Sequence, residues 1–76
     1  MKDILEVIIK NLVDNSEEVS ITEKIEAKSI CYEVKVAKDD MGKVIGRQGK
    51  MAKAIRSIIK AIATKENKKV NIEFID

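Results

Sequence analysis

The chain has 76 residues, with 15 Lys+Arg against 13 Asp+Glu, one Cys, no His, Trp or Pro, and only Tyr32 and Phe74 as aromatic residues. A chain this short buries roughly 60% of its unfolded surface, enough for one modest core, so residues 1–76 are expected to form a single domain. Without His, and with one thiol, it can build neither a His/Cys zinc site nor a disulfide framework nor a nucleophile activated by imidazole, so no enzyme, metal or cofactor is expected.

The apolar runs are only a few residues long, far short of the roughly 18 that suggest a membrane span, so no membrane insertion is expected. Met1-Lys2-Asp3 offers no charged leader ahead of an apolar stretch, and Cys31 is a lone thiol. Both suit a reduced, cytoplasmic setting. The charge is unevenly distributed. Positions 38–69 hold ten basic residues and three acidic ones, whereas the remainder holds five basic and ten acidic. That polarity allows a positive face for a polyanion on a soluble chain, although basic residues that merely solvate one long helix would give the same pattern.

Ile4, Leu5, Ile8, Leu12 and Val13 recur at helical spacing, with Asp3 placed to cap the start and Asp14-Asn15-Ser16 to end the helix. Val19, Ile21 and Ile25 then interleave with polar residues. After a turn near 27–29, Ile30, Tyr32, Val34 and Val36 repeat at every second position, predicting two strands with Tyr32 inward and Cys31 on the opposite face. Asp39-Asp40 offer a cap for a very short helix carrying Met41, Val44 and Ile45, which Gly46 ends. A longer helix begins four residues later, with Ala52, Ile55, Ile58, Ile59, Ile62 and Ala63 as its apolar positions and Lys53, Arg56 and Lys60 among the rest. Val70, Ile72 and Phe74 close the chain as a strand. The expected order is α-β-β-α-α-β.

All three glycines lie within eight residues, and the last two sit in the string Val44-Ile45-Gly46-Arg47-Gln48-Gly49-Lys50 between the two helices. Glycine lets a phosphodiester approach the main chain, and the N–H groups that open the following helix carry partial positive charge. Arg47 and Lys50 add cations. A P-loop would need a glycine at 44 and Ser or Thr at 51, where the sequence has Val and Met, and a dinucleotide fingerprint also fails at Val44. A plain helix C-cap followed by a tight turn would explain Gly46 and Gly49 with no ligand. Asp39 and Asp40 lack the companions that an acid-base or metal site requires.

The Gly46-Arg47-Gln48-Gly49 loop, with Val44-Ile45 before it, an Ile-rich helix after it and this order of elements, resembles the type II KH domain, closest to the small bacterial single-KH proteins of the KhpA type. The resemblance implies an α+β fold in which a three-stranded mixed sheet carries three helices packed on one face. It further implies a clamp for about four nucleotides of single-stranded RNA. Carried across, Gly46, Arg47, Gln48 and Gly49 hold the backbone, with Lys43, Lys50 and Lys53 as neighbouring cations. Ile45 and Val44, facing strand residues such as Val34 or Val36, line the base groove. A post-transcriptional regulator or RNA chaperone is implied, working as a homodimer or with a larger Jag-type KH partner (KhpB type) in regulation that touches cell-envelope growth and division. The alternative is a protein-interaction subunit that uses the fold for dimerisation or docking.

Overall fold

The computed structural model describes residues 1–75, and its elements follow the expected order. Helix α1 (Lys2–Leu12) forms because Leu5, Ile8, Ile9 and Leu12 recur every three or four residues, which places them on one stripe. Leu5 and Ile9 are fully buried, whereas Ile4 lies on the flank of that stripe and is exposed. The helix starts two residues earlier than a cap at Asp3 predicts. Met1 holds the N-cap position with no side-chain bond, and Asp3 sits within the first turn, where its charge complements the helix dipole.

A 3-10 turn over Ser16–Glu18 leads into strands β1 (Ser20–Ile25) and β2 (Ser29–Lys35). They pair antiparallel from Ser20↔Lys35 to Ile25↔Ile30. Strand β3 (Lys69–Ile75) pairs with β2 in parallel, from Ser29↔Lys69 to Lys35↔Ile75. A parallel pair requires a long crossover, and here it is supplied by helix α2 (Met41–Ile45), a glycine turn and helix α3 (Lys50–Lys65). The sheet order is β1-β2-β3, so β2 is central and β3 is an edge.

Period-two alternation sends Ile30, Tyr32, Val34 and Ile72 to one face, where they join Leu5, Ile9, Val13, Val36, Val44, Ile55 and Ile59 in the core. The other face carries Lys24, Cys31, Glu33, Asn71 and Glu73, with Lys24 and Glu33 paired at 2.7 Å. Helices therefore cover one side only. Tyr32 is buried as expected, and its hydroxyl donates to Glu23 Oε2 at 2.8 Å; burial, reinforced by that bond, pushes the phenol's pKa well up. Ile25 shares the inward face but lies 69% exposed at the end of the edge strand, beyond the cover of the helices.

Asp40 does not cap α2 with its side chain, contrary to the sequence reading. Its carboxylate turns instead toward the end of α1. There it accepts the Asp14 N–H at 3.2 Å, the Asn15 N–H at 2.9 Å and the Asn15 side-chain amide at 3.1 Å. The residue is 1% exposed. Those donors offset the desolvation of the carboxylate, and the Asn15 backbone bond is the largest cause holding its pKa below the ordinary value.

Candidate nucleic-acid interface

The glycine turn is built by main-chain geometry that side chains resist. Helix α2 ends when the Gly46 N–H bonds the Gly42 carbonyl at 2.9 Å, and Gly46 then adopts φ 75°, ψ 176°. A Cβ there would stand 2.7 Å from Met51 Cβ and 2.9 Å from the Met51 nitrogen, so the close approach of the turn to α3 requires glycine. Gln48 (φ 54°) and Gly49 (φ 73°) follow in the left-handed region, which reverses the chain within a 3-10 turn over Arg47–Gly49.

Helix α3 opens with Gly49 at its N-cap, no side-chain cap and no acidic residue in the first turn. The Lys50 N–H donates to the Arg47 carbonyl, and with no side chain capping the N–H groups after it, the helix start keeps partial positive charge beside the turn. Arg47, Gln48 and Lys50 are exposed around it, and so is Lys53, one turn along. The loop and these cations are thus brought together as expected.

Two expected members stand differently. Val44 has no exposed surface, because the short α2 turns that side chain into the core; its role is packing rather than contact with bases. Lys43 is ion-paired to Asp14 and lies 3.5 Å from Asp40 Oδ1, and the Asp14 bond raises its pKa. It meets a phosphate only in competition with two carboxylates. Ile45 is half-buried against the core.

The expected strand wall is also corrected. Val34 lies in the central strand and Val36 just beyond its end, and both are buried in the core. The accessible wall is the edge strand β3. Arg56, Lys60, Val70, Asn71, Ile72 and Glu73 line a cleft of about 280 Å³ between α3 and that edge. Arg56 is fixed within it, since its Nε–H donates to the Ile72 carbonyl at 3.2 Å and its guanidinium lies 5.4 Å from the centre of the Phe74 ring. Sequence reading passed over this wall, although the signal was present: Lys53, Arg56, Lys60 and Thr64 stand three and four residues apart, one stripe running away from the loop.

The arrangement offers a positively charged turn with open main-chain donors, continued by a trough with one helical and one strand wall. Among the described residues no group of His, Cys, Asp and Glu is placed to hold a metal ion, and no helix is long and apolar enough to cross a membrane.

A protein of Clostridium perfringens named RNA-binding protein KhpA is 55% identical to this chain over 75 residues, covering 99% of this chain and all of that one. Its namesake in Clostridium acetobutylicum is 57% identical over the same share of both chains. The one in Chlamydia caviae is 49% identical over all of this chain and 97% of its own. No solved structure was found to match. The family model described as KhpA/KhpB, KH domain matches residues 2–74, and with the glycine turn, the mixed sheet and its helical cover in place, the chain belongs to that family.

Proposed function

We propose that this chain binds short single-stranded RNA, clamping its sugar-phosphate backbone at Gly46, Arg47, Gln48 and Gly49, and acts as a post-transcriptional regulator or RNA chaperone. The observation that carries the reading is the exposed turn against an uncapped α3 N-terminus, with Arg47, Lys50 and Lys53 around it. The name RNA-binding protein, borne by the clostridial relatives, supports it. Phosphates sit at the turn, and bases lie along the α3–β3 trough against Ile45 and the edge strand.

Base selection is permissive. Aromatic stacking contributes about 1–3 kcal/mol per base where it occurs, but Tyr32 is buried and Phe74 lies against Arg56. Affinity then gains from a second binding module, a second copy or a larger Jag-type KH protein, through effective concentration rather than new contacts. Ile58, 49% exposed on the side of α3 away from Lys53 and Lys60, favours such pairing because a partner seated there leaves the trough open.

The test is fluorescence anisotropy with labelled single-stranded RNA, comparing the wild type with an Arg47→Asp/Gln48→Asp variant whose folding is verified by circular dichroism. Acidic side chains at the turn should abolish binding. Equal binding by both proteins would place the site elsewhere, and light scattering at several concentrations separates RNA binding from self-association.

A further inference from the structure

The α3–β3 trough does not end at Arg56. A second depression of about 340 Å³ continues it, lined by Lys60, Thr64, Lys68, Lys69, Val70 and Asn71, and shares Lys60, Val70 and Asn71 with the first. No carboxylate lines this far end. Among the described residues the ion-paired lysines are Lys10, Lys24 and Lys43, so Lys60, Lys68 and Lys69 converge on one depression with no anionic partner. Like charges gathered in this way repel one another until an anion joins them. Lys69 is also held in place by its main chain, whose N–H donates to the Lys28 carbonyl at 3.1 Å.

We infer that this end of the trough is a second phosphate site, built by Lys60, Lys68 and Lys69, which receives the RNA strand after it leaves the glycine turn. The inference rests on the RNA reading of the turn, because the ligand arriving is the same strand. Length supports it. The 16 residues of α3 separate the turn from Lys68 and Lys69 by about 24 Å at 1.5 Å per residue, with Lys60 about 15 Å along the way. A stacked strand advances about 3.4 Å per nucleotide, so it needs about seven nucleotides to reach the far lysines. The clamp alone holds about four.

The experiment measures the affinities of 4-, 6-, 8- and 10-nucleotide unstructured RNAs for the wild type and for Lys68→Ala/Lys69→Ala. A charge-matched control, Lys2→Ala/Lys35→Ala, removes two exposed lysines outside the trough. The wild-type to Lys68→Ala/Lys69→Ala affinity ratio should stay near one for the 4-mer. It should reach on the order of tenfold by eight nucleotides and then level off, while the control stays near one throughout. A ratio that is the same at every length, whether one or larger, would overturn the second site. So would an equal loss in the control, or a fall in thermal stability with binding unchanged, which would assign the lysines to the C-terminal dipole of α3. The Arg47→Asp/Gln48→Asp variant forms a separate arm: full 4-mer affinity there would defeat the reading of the turn itself, whatever the length ratio shows.

Discussion

The three glycines make unequal demands on the backbone, and substitution separates them. Gly46 occupies a region of positive φ and extended ψ that is essentially confined to glycine, and its missing Cβ leaves room for the Met51 main chain. Gly49 is also at positive φ, but a Cβ there would meet nothing within 4 Å. Gly42 lies inside α2 with open space around it and no positive φ. Gly46→Ala should therefore cost more than roughly 2 kcal/mol. Gly49→Ala should cost about 1–2 kcal/mol, the strain of a left-handed alanine. Gly42→Ala should stabilise the chain by about 0.5–1 kcal/mol, because alanine loses less backbone freedom in a helix. Urea unfolding of the three variants checks the order, and a Gly46→Ala protein as stable as Gly49→Ala would refute the close packing of the turn.

At the scale of elements, Asp40 ties the end of α1 to the start of α2, the helix that delivers the chain to the glycine turn. Its depressed pKa means that the carboxylate stabilises the fold fully above the ordinary carboxylate range, and that this contribution fades as pH falls through the folded-state value. Asp40→Asn presents an amide donor to groups that are already donors, so at pH 7 it should lower Tm by about 5 °C or more. The gap from wild type should begin to narrow only as pH falls below the ordinary carboxylate value of about 4, and close once pH is below the lowered folded-state value, where the wild-type group is itself protonated. A gap independent of pH in thermal melts would show that the charge is not what holds the junction.

Asp40 also marks where the sequence stopped being informative. A carboxylate just ahead of a short helix has the local pattern of a cap, and only the tertiary approach of Asp14 and Asn15 diverts it. The strands, α3 and the turn were legible because period-two and three-to-four alternation and clustered glycines are local signals. Sheet order was not. The pairing of β2 with β3 joins residues 40 apart, as in Ser29↔Lys69, and nothing in Val34 or Val36 tells a central strand from an edge. Val44 was misread for a related reason: α2 is five residues long, too short for its apolar positions to define a buried side.

Across the whole molecule, folding turns an uneven string of charges into a directed surface. Arg47, Lys50, Lys53, Arg56, Lys60, Lys68 and Lys69 line the turn and the trough, where Glu73 is the one carboxylate among the described lining residues, whereas Glu33 lies on the open sheet face and Asp14 flanks α2 next to Lys43. Binding along such a surface is governed by counterion release, with a slope of about −0.7 in log affinity against log salt for each phosphate neutralised on a single strand. Four to six phosphates held by Arg47, Lys50, Lys53, Lys60, Lys68 and Lys69 give a slope of roughly −3 to −4 for an 8-mer. Individual lysines then separate by how they are paired. Lys50→Ala should make the slope shallower by about 0.7, one phosphate fewer. Lys43→Ala should leave it unchanged, because Asp14 and Asp40 already neutralise that ammonium. Anisotropy titrations between 50 and 200 mM salt, a range set by roughly the Debye screening of exposed charges, read both. A wild-type slope weaker than about −1, one or two phosphates at most, would mean that apolar contact with the bases dominates binding. Equal changes for the two variants would mean that the Asp14–Lys43 pair opens when RNA arrives.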